Sequence, residues 1–259
     1  MTDGGWLEMT RRLTLPDGRS TAILFLHGYL GVFPRWLYWR HCRALFAELQ
    51  AAGFRIVVPS VSVTGSVARR AGKAAKVMAG LPEEQIVLVG HSMGGLDARD
   101  IARHRDPGRR VIAVLTLGTP HRGSSLAHWA IHTPRGLARL ARMFDRGALF
   151  DLTPEAAAAF NQRVPDRDDV HYTAVVAQRP EVELARTLVP YGRMLTAEEG
   201  PNDGMVCVAS ASWGTRPITV RADHLELAGW SLPPQVEELG RPFDHLNGLR
   251  QALAQAMGV

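Results

Sequence analysis

The chain has 259 residues, 46% of them hydrophobic, which is enough to bury a full core and a length at which an α/β chain is routinely one domain. Its formal charge is +5, but the 30 basic residues are dispersed, all but Lys73 and Lys76 are arginine, and no nucleic-acid motif accompanies them; this argues against nucleic acid as a partner and leaves an anionic lipid interface open. There are no repeats, linker-like runs or stretches of transmembrane length, and Cys42 and Cys207 belong to no CxxC, so neither a zinc nor a redox motif is indicated, while a single disulfide between them stays open.

Met1 to Gly5 lacks a basic segment followed by an apolar one, so a cytoplasmic protein is expected, or a secreted one if a leader has been removed. Trp6 to Leu15 alternates loosely and ends in the turn signal Pro16-Asp17-Gly18, which predicts a hairpin with the following strand, Thr21 to Leu26. That strand runs into His27-Gly28-Tyr29-Leu30-Gly31, a glycine-flanked loop suited to holding anion-binding amides. Trp36 to Ala52 is helical in spacing and stops at Gly53; Phe54 to Val58 returns as a strand; Ser66 to Ala79 is a second helix, ended by Gly80-Leu81-Pro82.

Ile86 to Val89 is a continuous apolar run that passes directly into Gly90-His91-Ser92-Met93-Gly94 and then into a helix over Met93 to His104. Strand, Gly-x-Ser-x-Gly and helix in that order describe a nucleophile elbow, in which a sharp turn presents Ser92 at a helix N-terminus. Side chains at Gly90 and Gly94 would collide where strand and helix approach, and the serine itself sits in a backbone conformation costing roughly 1–3 kcal/mol. Val111 to Leu117 follows as another buried strand, so the alternation predicts a mostly parallel sheet covered by helices on both faces.

After Gly118-Thr119-Pro120-His121-Arg122-Gly123-Ser124 the rhythm breaks, and a short lid insertion is expected at about residues 124–160. Within it Arg135, Arg139, Arg142 and Arg146 fall on one helical face, readable either as a solvated surface stripe or as a lid that meets lipid. His128 and His132 stand four residues apart, as metal ligands on a helix would, but no supporting pattern surrounds them and two surface histidines are expected. Asp151 to Val164 reads as a helix, His171 to Ala177 and Pro217 to Val220 as strands, and Leu246 to Met257 as a closing helix.

A serine hydroxyl needs an adjacent base, itself oriented by a carboxylate, and in this architecture the acid and then the histidine follow the serine. His224 stands just past the last strand, whereas its rival His245 opens the final helix and suits a capping role. Asp223 is adjacent to His224 and would point away from it, so Asp203, in the turn Pro201-Asn202-Asp203-Gly204, is the expected acid.

As a set, the His27-Gly28 loop, Tyr38-Trp39, the Gly-His-Ser-Met-Gly elbow, residues 118–124, Ala156 to Asn161, Asn202 to Val206 and Asp223 to Glu226 resemble the bacterial triacylglycerol lipases of the α/β-hydrolase superfamily. The resemblance implies an α/β-hydrolase fold in one domain over residues 1–259, a Ser92–Asp203–His224 triad, and an oxyanion hole formed by the amides of Tyr29 and Met93. Members commonly carry structural calcium, and Glu226 falls where one ligand is expected; the other ligands find no match, and neither metal nor cofactor is predicted. The short lid shifts the expectation from a long-chain lipase toward a carboxylesterase acting on lipid-like esters, with transient contact at a lipid interface. Acyl transfer or polyester depolymerisation by the same triad, and a catalytically silent lipid-binding protein, are the alternatives.

Overall fold

The computed structural model describes residues 18–29, 38–132, 147–214, 217–234 and 243–258. Six strands, β1 (Thr21–Leu26), β2 (Arg55–Val57), β3 (Gln85–His91), β4 (Val111–Leu117), β5 (His171–Ala177) and β6 (Ile218–Val220), form one sheet in the order β2-β1-β3-β4-β5-β6. Every neighbouring pair is parallel. β1 therefore has β2 on one side and β3 on the other; residues 6–15, from which a hairpin with β1 is expected, lie outside the described residues.

Side chains alternate across the pleat and build two cores. On one face Ile23, Phe25, Val87, Val89 and Leu115 pack against α1 (Arg43–Ala51), through Leu45 and Leu49, and against the closing helix, through Leu249 and Leu253. On the other, Ala22, Leu24, Ile86, Leu88 and Val114 pack against α2 (Val67–Ala79), through Ala71, Ala74 and Met78, and α3 (Met93–His104), through Ala98 and Ile101. Both faces of β3 are thus filled by apolar residues, the burial expected of a central parallel strand.

Over the strands' carboxyl ends lie α4 (Ser125–His132), α5 (Gly147–Asp151) and α6 (Pro154–Arg163), followed after β5 by α7 (Val189–Glu198) and α8 (Val208–Ala211). The single helix expected over 151–164 is broken, because the Thr153 hydroxyl caps α6 by accepting from Ala156 N–H and Pro154 occupies its first turn. The arginine stripe at 135, 139, 142 and 146 lies outside the described residues. The closing helix, α9 (His245–Met257), starts at His245 behind an Asp244 cap. Among the described residues no helix is long and apolar enough to cross a membrane.

Candidate active site

β3 ends in the turn the sequence predicts. Ser92 has φ 54° and ψ −129°, a left-handed backbone held from both sides: its N–H donates to the Leu117 carbonyl at 2.8 Å, and its carbonyl accepts from the Thr119 hydroxyl at 2.8 Å. The glycines have separate reasons. A side chain on Gly90 would strike the backbone of Gly94, and one on Gly94 would strike the carbonyls of Leu26 and His27 at the end of β1. Strand, helix and the following loop of β1 are therefore close-packed around Ser92, and a Cβ on Gly28 would lie 2.8 Å from Ser92 Cβ.

Asp203 and His224 meet across the end of the sheet. The His224 ring places Nδ1 2.8 Å from Asp203 Oδ2, while Asp203 Oδ1 accepts from the N–H groups of Met205 and Val206 at 2.9 and 2.7 Å. Both are buried, and the backbone follows the side chains: His224 N–H donates to the Asp203 carbonyl at 2.9 Å. Burial alone would push the His224 pKa down, but the charge of Asp203 and its hydrogen bond outweigh it, leaving His224 above the ordinary histidine value. Gly118, at the end of β4 with φ 53°, leaves the space this pair needs; a Cβ there would fall 3.0 Å from Asp203 Oδ2 and 3.2 Å from His224 Nδ1.

The other candidates lie elsewhere. Asp223 caps its own loop, accepting from Leu225 and Glu226 N–H at 2.9 and 3.0 Å and from Ala185 N–H at 3.3 Å. His245 Nε2 donates to the His41 carbonyl at 3.0 Å, at the start of α9. His128 and His132 lie exposed on α4 with tilted rings whose centroids are 4.3 Å apart, and no cluster of three ligating side chains occurs among the described residues. Cys42 and Cys207 are separate buried thiols, which leaves no disulfide between them.

Glu226 does not fit a divalent cation. Arg179 already grips both of its oxygens, at 2.8 and 3.0 Å, and the N–H groups of Asp223 and Phe243 donate to them as well. A guanidinium supplies the positive charge that this buried carboxylate requires.

Met93 opens α3, where first-turn amides lack helical partners, and Tyr29 follows the Gly28 that abuts Ser92. Their side chains join Leu96, Ala127, Leu149 and Phe160 in an apolar cluster beneath the α4–α6 cap.

The loop carrying Gly28 is held by a residue the sequence reading passed over. Arg70, fully buried in α2, donates to the carbonyls of His27 and Ser62 and reaches that of Gly28 at 3.5 Å, with Asp97 of α3 as its counter-ion. Its signal was positional, since Arg70 falls on the stripe of Val67, Ala71, Ala74 and Met78 that faces the core.

The model of the alpha/beta hydrolase family matches residues 23–247. Triacylglycerol lipase 2 of Saccharomyces cerevisiae is 26% identical over an alignment of 195 residues that covers 70% of this chain and 60% of that protein, so the chain spans less than two thirds of this curated relative. Among solved structures, the mature lipase BlEst2 of Bacillus licheniformis superposes with a TM-score of 0.65 at 21% identity, covering 82% of this chain and 88% of its own. A metagenomic carboxyl esterase does so at 0.68 and 22% identity, covering 93% and 75% respectively. At these identities the superpositions speak for the fold.

Proposed function

The chain belongs to the alpha/beta hydrolase family, and from that premise we propose that it is a serine hydrolase of carboxylic, lipid-like esters, working through an acyl-enzyme at Ser92. The observation that carries this reading is the buried Asp203–His224 pair, 2.8 Å long, on a loop whose backbone is bound to the residue preceding Ser92: the His224 carbonyl lies 2.8 Å from His91 Nε2.

With Nδ1–H donated to Asp203, His224 keeps Nε2 free to accept a proton. It removes the proton of Ser92 Oγ as that oxygen attacks the ester carbon. The resulting oxyanion is held by the amides of Met93 and Tyr29, a class of interaction worth about 10²–10³ in rate per donor. When the intermediate collapses, the carbon–oxygen bond to the alcohol breaks and His224 returns the proton to the departing oxygen. A water then gives a proton to His224 as it attacks the acyl carbon; when this second intermediate collapses, the bond from the acyl carbon to Ser92 Oγ breaks, His224 passes its proton to Oγ, and the acid leaves.

The apolar cluster beneath the cap suits an acyl chain, and a relative bearing the name triacylglycerol lipase is consistent with lipid esters as substrates. Acyl transfer to an alcohol, or cleavage of a polyester, would use the same steps with a different acceptor or chain.

The test is hydrolysis of p-nitrophenyl esters of graded acyl length, wild type beside Ser92→Ala, together with covalent labelling by a fluorophosphonate. The expected result is labelling confined to Ser92 and a loss of about 10⁴-fold or more in the variant. Equal measurable rates in both proteins would sink Ser92 as the nucleophile; no hydrolysis in either, with an unlabelled wild type, would instead fit the silent binding protein.

A further inference from the structure

The loop after β1 and the loop after β6 are almost 200 residues apart in the chain, from Gly28 to His224, yet a single line of hydrogen bonds joins them behind Ser92. Gly28 N lies 3.1 Å from Tyr38 Oη, Tyr38 Oη lies 2.5 Å from His91 Nδ1, and His91 Nε2 lies 2.8 Å from the His224 carbonyl oxygen.

Proton accounting sets the direction of each link. A backbone N–H only donates, so Tyr38 Oη accepts from Gly28 and has its own proton left to give. That proton goes to His91 Nδ1, which is therefore bare. The one proton of a neutral imidazole then sits on Nε2, where the His224 carbonyl accepts it. No other arrangement with a neutral His91 satisfies all three contacts.

We propose that Tyr38 and His91 are positioning residues, a strut of fixed proton direction that sets the oxyanion loop at Gly28 and Tyr29 against the backbone of the base His224. The proposal rests on the triad reading above and deepens it. The oxyanion donors hold the carbonyl oxygen while the base takes the proton of the Ser92 hydroxyl attacking that same carbonyl carbon, and an error of about 1 Å between such groups costs on the order of 100-fold in rate. The two groups come from separate loops, each carried by its own strand, so something must fix their separation.

Neutrality of His91 matters as much as its direction. Its ring centroid stands 4.7 Å from that of His224, the ring that takes up positive charge during the reaction. Burial, and then the charge of His224, hold His91 well below the ordinary histidine value. Tyr38 is pushed up to about 12 by burial, so its hydroxyl keeps the proton that the strut uses.

The first test reads the unmodified protein: nitrogen NMR of the full chain with labelled histidine at neutral pH, the His91 signals being identified by their loss in His91→Gln. A protonated Nε2 and a bare Nδ1 are expected; the opposite tautomer, or an imidazolium, overturns the proposal. The second test uses Tyr38→Phe, which keeps the ring and removes the hydroxyl. With active sites titrated by a fluorophosphonate, kcat on a short-chain p-nitrophenyl ester and the rate of labelling are expected to fall together about 10- to 100-fold, with KM within about twofold. His91→Gln, whose amide can accept at oxygen and donate at nitrogen, is expected to retain about tenfold more activity than His91→Leu. Wild-type kcat in Tyr38→Phe, or equal loss in the two His91 variants, overturns it. Failure of the triad reading shows separately, as a Ser92→Ala protein that labels at the wild-type rate, and takes the proposal with it.

Discussion

Arg70 and Asp97 form an ion pair in which neither side chain meets solvent, with Arg70 Nε 2.8 Å from Asp97 Oδ2. The second carboxylate oxygen, Asp97 Oδ1, has no hydrogen-bond partner among the described residues. Burial pushes Asp97 up to about 6 against the pull of Arg70, so the pair is a poor source of stability. Its geometry has another use. The carbonyl of Gly28 and the N–H of Tyr29 share one trans peptide and point in opposite directions, so a guanidinium and the ring of His27, whose Nδ1 lies 2.9 Å from that carbonyl, turn the Tyr29 amide the other way.

Stability and activity should therefore separate at this pair. Arg70→Met leaves Asp97 buried without its counter-ion and is expected to cost about 3–5 kcal/mol in urea unfolding while lowering kcat/KM. Adding Asp97→Leu removes the orphaned charge and should recover much of the stability. Activity should stay low, because the loop carbonyls still lack their donor. A double variant that regains both would show that the guanidinium acts only as a partner for Asp97.

A second expectation concerns pH. The proposed base must be neutral to accept the Ser92 proton, and Asp203 raises its pKa above 6.5, so kcat/KM should fall as pH drops through a midpoint above that value. In Asp203→Asn the opposing effect of burial is offset only by the smaller influence of the Asp223 charge. The acid limb should move below 6.5, with a rate loss of about 10⁴-fold at neutral pH by analogy with other triads. An acid limb unmoved by the substitution would mean that a different group titrates, and would remove Asp203 from the role.

What the sequence made legible was whatever it encodes locally. The apolar run before Ser92, the glycines around it, and the order of acid and histidine lead to the elbow and to the Asp203–His224 contact, because each depends on residues a few positions apart or on strand order. Thr153-Pro154 was an equally local helix start, overlooked within a longer helical pattern. The tautomer of His91 and the core-facing guanidiniums of Arg70 and Arg179 were out of reach. Each depends on partners 27 to 133 positions away in sequence, and an arginine, on a helix as Arg70 or in a loop as Arg179, reads as solvated until its partner is seen. Tyr29 and Met93 entered through family resemblance, since an amide donor leaves no mark in residue type.

Arg179 gives the last prediction. Its side chain and that of Glu226 are 4% and 7% exposed, and Glu183 bridges Arg179 to Arg221, so two buried carboxylates, one of them two residues beyond His224, share the enclosed guanidinium of Arg179. Because that guanidinium supplies the charge, exhaustive dialysis against EDTA should leave both Tm and ester hydrolysis unchanged. Arg179→Gln should behave oppositely, exposing Glu183 and Glu226 to each other's charge inside the fold, lowering stability by about 3–5 kcal/mol and loosening the loop that carries His224. Two facing carboxylates are also hard oxygen ligands, so millimolar calcium is expected to raise the Tm of Arg179→Gln and not that of the wild type. A wild-type Tm that falls with EDTA would mean that a metal, rather than Arg179, fastens the histidine loop.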